Sequence, residues 1–203
     1  STGEGLGNQF LSNIRETDAI VHVVRAFEND DIVHVSGKVS PIDDIEIINT
    51  ELILSDLSVV EKLYQKAQKN TKSGQKEGMP MKELLEKILS ALKEGISVRK
   101  LTFGEEELVL LKSFQLLTLK PVLYVANVNE NGFKNNSYLS SILEYAKEEN
   151  SKVVPICAEI EAEICELNNE EKKEFLIEMG QSESGLDRLI KAGYNLLGLQ
   201  TYF

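Results

Sequence analysis

The hydrophobic pattern of this chain changes period several times, and each change marks an element. Ala19–Arg25 (AIVHVVR) is a short, nearly continuous apolar run rich in Val and Ile. That is the pattern of a strand covered on both faces of a parallel sheet. Pro121–Ala126 and Lys152–Ile156 repeat it. Between residues 45 and about 70 the spacing lengthens. Ile53, Leu57, Val60, Tyr64 and Ala67 alternate four- and three-residue steps, which is heptad spacing. After the polar stretch 70–80, whose Gly74, Gly78 and Pro80 break a helix, Met81, Leu85, Ile88 and Leu92 resume the same step up to Gly95. Isolated helices of this length are marginal in water, so the two stripes predict an antiparallel helical hairpin of coiled-coil type.

Shorter helices are predicted over 9–16, over Glu105–Ser113 with its acidic start, and over Ser137–Asn150. Another opens at the capping box Asn168-x-x-Glu171 and stops at Gly180. The last opens at Ser184-x-x-Asp187, with Leu186, Leu189, Ile190, Leu196 and Leu197 on or near its buried side. Residues 1–8 (STGEGLGN) read as a glycine-dense loop. From 121 to about 165 the order is strand, helix, strand, helix, the βαβ pattern of a doubly wound parallel sheet. Three strands are visible, few for such a sheet, and there is no internal repeat.

At 203 residues, 42% hydrophobic, the chain has room for one core plus an insertion or for two small domains. No apolar run approaches the roughly 20 residues of a membrane span, and no basic-plus-apolar leader is present. Cys157 and Cys165 do not make a disulfide scaffold. These features predict a reducing, cytoplasmic setting with no membrane partner. The net charge of −11 excludes a generally basic nucleic-acid binder, but it is unevenly spread. Residues 60–100 carry ten basic and five acidic side chains, leaving the remainder strongly acidic. Two readings are open: a localised contact with a polyanion centred on Lys66, Lys69, Lys72 and Lys76, or a solvated helical face.

The candidate chemistry gathers at predicted strand ends. Asn127-Val128-Asn129-Glu130 follows the second strand, and Cys157-Ala158 follows the third about one βα unit later. Ligands of open parallel sheets sit beyond the carboxyl ends of strands. An Asn amide there can donate to purine N7, which adenine and guanine share. Compared with the Asn-Lys-x-Asp of GTPases, Val128 stands for Lys and Glu130 for Asp. A carboxylate one methylene longer does not reach the same plane, which favours adenine. Val128 would then supply an apolar contact and a carbonyl for the adenine amino group. The alternative is an ordinary strand-to-helix turn. Gly3, Gly5 and Gly7 read as a switch or turn, because G-x-x-x-x-G-K-[ST] does not occur and no strand precedes them. His22 and His34 lack metal-ligand spacing, and His22 reads as a core residue. The cysteines read as small buried hydrophobes. Asp30-Asp31 and Asp43-Asp44 read as caps and turns. No metal site and no nucleophilic triad is legible.

Several stretches together carry a resemblance: GEGLGN (3–8), IRETDAIVHVVRAFENDDIVHV (14–35), INTEL (48–52), LTLKPVLYVANVNE (117–130), VPICAEIEAEI (154–164) and IKAGYNLLGLQTYF (190–203). In this order the chain resembles the Obg-like ATPases of the YchF type, within the translation-factor-related P-loop GTPase class. The resemblance implies an α/β fold: an incomplete P-loop NTPase-type parallel sheet (1–44 and 114–203) with an inserted α-helical coiled-coil hairpin (45–113). It implies base recognition by Asn127, Val128, Glu130, Cys157 and Ala158, and a switch remnant at Gly3, Gly5 and Gly7. It also implies ATP, or GTP, with Mg²⁺ in a complete protein, and a ribosome or ribosomal RNA contact at Lys66, Lys69, Lys72 and Lys76. The P-loop, the first switch and the C-terminal TGS domain of such proteins have no counterpart in these residues. A partial chain that binds no nucleotide tightly and hydrolyses none is therefore expected. A non-catalytic RNA-binding helical module on an α/β scaffold is the alternative.

Overall fold

The computed structural model describes residues 4–29, 38–72 and 79–199. The chain divides into two compact units. One holds residues 1–18 and 46–120, the other 19–45 and 121–203.

The first unit is helical. Helix α1 spans Glu4–Arg15, so Gly5 and Gly7 are helical and the expected loop is a helix from residue 4 onward. The penalty for Gly in a helix is about 1 kcal/mol per residue, too little to stop propagation from the turns at 9–15. Gly3 lies outside the described residues. Helix α2 spans Pro41–Lys72, with Asp43 and Asp44 in its first turn, and α3 spans Met79–Lys93. Residues 73–78 of the predicted breaker are not described, nor are Asp30, Asp31 and His34. The two stripes meet as the spacing requires. Ile53, Val60 and Ala67 of α2 share one buried cluster with Leu85, Ile88 and Leu92 of α3, and Leu57, Tyr64 and Met81 pack against it. Helix α3 ends because Gly95 takes a left-handed conformation (φ +75°). The turn it makes lets the Ile96 N–H reach the Ala91 carbonyl at 2.9 Å and its own N–H reach Leu92 at 3.1 Å. A short 3₁₀ turn (Val98–Lys100), α4 (Glu105–Lys112) and a second 3₁₀ turn (Leu117–Leu119) complete the unit.

One polar side chain organises that core. Asp56 is fully buried. Its Oδ1 accepts from the Leu117 N–H at 3.0 Å and from Arg15 at 2.9 Å. Its Oδ2 accepts from the Thr118 N–H at 2.7 Å and the Thr118 hydroxyl at 2.8 Å. The carboxylate thus caps the 3₁₀ turn from 61 residues away. Nothing in the hydrophobic periodicity distinguishes Asp56 from a surface acid.

The second unit is a three-stranded parallel sheet, order β1-β2-β3, of β1 (Ile20–Arg25), β2 (Val122–Asn127) and β3 (Lys152–Ile156). Helices α5 (Ser137–Glu148), α6 (Ala158–Glu166), α7 (Asn169–Glu178) and α8 (Gly185–Leu196) follow the strands. Side chains of β2 alternate between faces, as a strand must. Val122, Tyr124 and Ala126 pack with Leu139 and Ile142 of α5 and Ile160 of α6. Leu123 and Val125 pack with Val154, Ile156 and the α8 residues Leu189, Ala192 and Leu196.

Four expectations are corrected here. Strand β1 is not covered on both faces. Val21 and Val23 are exposed, because the α8 cluster reaches only β2 and β3. For the same reason Leu186, Ile190 and Leu197 lie on the exposed side of α8. His22 is half-buried, its ring 5.7 Å from that of Tyr124. Cys157 is buried but Cys165 is exposed, and both are free thiols.

Candidate functional site

The parallel register sets the geometry of the strand ends. Arg25, Asn127 and Ile156 are neighbours at the carboxyl edge of the sheet, where βα turns present side chains to ligands. Backbone bonds continue one residue beyond the strands. The Ala26 N–H donates to the Asn127 carbonyl at 2.8 Å, and the Val128 N–H to the Ile156 carbonyl at 2.8 Å. The turn after β2 closes when the Gly132 N–H reaches the Asn129 carbonyl at 2.9 Å.

The structure brings Asn127 and Ala158 together. The Asn127 Oδ1 accepts from the Ala158 N–H at 3.1 Å, joining the end of β2 to the first residue of α6. This bond occupies the acceptor of the amide, while its Nδ2 donates to no described residue. Cys157, the residue before α6, is buried, so its thiol faces the core and only its main chain remains for a ligand. Val128 departs from expectation in the same way. It is 2% exposed and belongs to the core cluster. The apolar base contact expected of its side chain is therefore not available, and only its carbonyl is. Glu130 is exposed.

Gly5 and Gly7 belong to α1 in the other unit. Lys66 and Lys69 are exposed on α2. Together with exposed Lys62 they recur at four- and three-residue steps, so the three share one face. Lys72 is the last residue of α2, and Lys76 lies outside the described residues.

Residues that sequence reasoning passed over hold this edge in place. Asn136 caps α5: its Oδ1 accepts from the Tyr138 N–H at 3.0 Å and the Leu139 N–H at 3.2 Å. Its position before Ser137 was the available signal. Glu161 of α6 accepts from the N–H groups of Gly185 and Leu186 at 2.7 and 3.0 Å, tying α6 to the start of α8. No local pattern announces that partnership across 24 residues. An open groove of about 420 Å³ also lies beside this edge, between Phe27 and Glu28 on one side and Asn131, Lys134 and Tyr138 on the other. None of Asn127, Val128, Glu130, Cys157 and Ala158 lines it. The Tyr138 hydroxyl donates to Glu28, and that bond raises the Tyr138 pKa above the usual phenolic value. Among the described residues no group of three His, Cys, Asp or Glu side chains is placed to hold a metal, and no helix is long and apolar enough to cross a membrane.

No protein-family model matches the chain. Curated relatives do. The ribosome-binding ATPase YchF of Haemophilus influenzae is 57% identical over 203 residues, which are all of this chain and 56% of that protein. The protein of the same name from Bacillus subtilis is 53% identical over 206 residues, with the same shares. The solved structure of the Schizosaccharomyces pombe YchF GTPase superposes with a TM-score of 0.86 at 35% identity, over 97% of this chain and 55% of that one. The chain spans about half the length of the curated relatives it matches.

Proposed function

Since the chain belongs to the YchF type of the Obg-like family, we propose that its sheet unit supplies the base-recognition side of a purine nucleotide site. We further propose that the whole protein is a ribosome-associated nucleotide hydrolase. One observation carries the base reading: the Asn127 Oδ1 is committed to the Ala158 N–H. That bond fixes which end of the amide is which, and leaves Nδ2, with no partner among the described residues, as the donor for purine N7. Glu130 is one methylene longer than Asp, so its carboxylate would not meet the N1 and N2 protons of guanine in the same plane, which favours ATP over GTP. The Val128 carbonyl would accept from the adenine amino group.

The residues present fit the base and not the metal. Mg²⁺ and the phosphates need a cradle of backbone amides, a Lys and a Ser or Thr, and the sequence holds no such motif. We assign phosphate and metal binding to the length that the relatives have beyond this chain. No hydrolytic step is assigned to these 203 residues. The test is nucleotide competition on the full-length protein. Asn127→Ala is expected to weaken ATP binding about tenfold, the weight of one charge-free, well-oriented hydrogen bond in a dry site. A clear GTP preference would refute the reading of Glu130, and ATP turnover by the pure 203-residue chain would refute the division of labour.

The helical unit supports a second role, a contact with ribosomal RNA. Exposed Lys62, Lys66 and Lys69 on one face of α2 are the supporting observation. Lys66→Glu with Lys69→Glu is expected to lower ribosome binding and flatten its salt dependence, since each neutralised phosphate steepens that slope by just under about one unit. Binding that is unchanged by the charge reversal leaves the helical unit without this function.

A further inference from the structure

We propose that Asn136 is a positioning residue for base recognition, holding the 127–132 turn through its amide Nδ2 while its Oδ1 caps α5. The inference rests on the purine reading of Asn127. Four short bonds meet at this one side chain. On the acceptor side are the two N–H groups of Tyr138 and Leu139. On the donor side, Nδ2 gives to the Ala26 carbonyl at 2.8 Å and to the Gly132 carbonyl at 3.0 Å.

The donor side makes the side chain more than a cap. Asp or Ser would cap the helix as well as Asn, but neither offers two amide protons alongside the acceptor. Those protons reach one residue bonded to Asn127 and one that closes the turn after it. Ala26 is one: its N–H holds the Asn127 carbonyl at 2.8 Å, and fixing its own carbonyl, in the next peptide unit, anchors the same residue from its other side. Gly132 is the other, the closing residue of the turn. A Cβ at Gly132 would stand 2.6 Å from the Asn129 Oδ1, 3.0 Å from the Val128 Cβ and 3.1 Å from the Asn136 Nδ2. The Asn136 amide is therefore packed directly against the turn, in a space only glycine leaves. A donor aimed at a planar base must stay within a few tenths of an ångström and about 10–20° of its working geometry, and this amide braces it from both ends.

The test uses the full-length protein, with an ATP analogue and inorganic tripolyphosphate as ligands. Tripolyphosphate has the phosphates without the base. Asn136→Asp and Asn136→Ser each keep a cap acceptor and lose the two amide donors. Both are expected to weaken the ATP analogue about tenfold, the loss of one to two net hydrogen bonds, and to leave tripolyphosphate affinity and helix content unchanged. Wild-type affinity for the ATP analogue in both variants overturns the proposal. So does a parallel loss of both ligands, which is what general destabilisation would give. Asn127→Ala run alongside separates the two levels. No effect there discards the purine reading itself, whereas a loss there with intact binding by the Asn136 variants discards only the positioning role.

Discussion

Replacing Asp56 by Ala should unfold the helical unit or bring it close to unfolding. The side chain is fully buried and accepts four hydrogen bonds. Its removal strands the N–H groups of Leu117 and Thr118 in a dry interior, at about 1–3 kcal/mol for each unsatisfied group. It also leaves the Arg15 guanidinium, 18% exposed, without its carboxylate. Breaking a buried ion pair from one side costs about 3–5 kcal/mol, a figure that overlaps the first because both count lost solvation. A net loss of about 4 kcal/mol is expected, against the roughly 5–15 kcal/mol that holds a typical domain together. Asp56→Asn should lose about 3 kcal/mol, because its NH₂ must face a donor at one of the two oxygen positions. Thr118→Val removes only the hydroxyl and should lose about 1 kcal/mol. Urea denaturation followed by helical circular dichroism gives the magnitudes. Amide exchange locates them, with protection expected to fall across 46–72 and 79–120. A loss below about 1 kcal/mol for Asp56→Ala, or an Asn variant as stable as wild type, would refute the view of Asp56 as a satisfied buried cap.

Gly185→Ala should cost about 1–2 kcal/mol, because its Cβ would lie 2.7 Å from the Glu161 Oε1 and 3.1 Å from the Ile156 Cγ1; thermal melting checks this, and Glu161→Gln in the same background should relieve none of the clash. Gly95→Ala should cost about 1 kcal/mol through its positive φ alone, since nothing lies within 4 Å of the added methyl, so a D-alanine at that position should restore stability. Acidification should destabilise the chain. Asp187 is held below the usual carboxylate pKa by the Ser184 hydroxyl and by Lys172, and Glu107 by the Gly104 N–H and Lys87. With folded pKa values below the unfolded ones, the unfolded chain binds more protons as pH falls from roughly 5 through the folded values, so stability is lost across that window. Melting temperatures measured from pH 7 to pH 3 should fall, and Asp187→Asn and Glu107→Gln should each remove part of the slope.

How much of the site was legible depends on how far apart its parts lie in sequence. The placement of Asn127 and Ala158 near each other was legible because one ends a strand and the other comes just after one, and a parallel sheet aligns strand ends whatever the side chains are. Their hydrogen bond was not, since it depends on the one-residue backbone continuation at Val128 and Ile156. Val128 shows the opposite case. Its place in a motif suggested a ligand contact, but the pleat turns the side chain into the core. A period-2 reading carried one residue past the end of β2 would have placed Val128 with Val122, Tyr124 and Ala126.

By itself the sequence determined the elements: three apolar β-type runs, two heptad-spaced helices, and caps at Asn168 and Ser184 whose partners lie three residues away. Those features are local, set by backbone sterics and periodicity, so a linear reading reaches them. Tertiary structure alone decided which faces are covered and which polar groups are joined. One helix packs over two strands and leaves Val21 and Val23 of the third exposed. Asp56 meets Thr118, Glu161 meets Gly185, and Asn136 meets Ala26 across 62, 24 and 110 residues. Each of those bonds exists because a buried donor or acceptor must find a partner wherever the fold brings one, and no spacing along the chain encodes that.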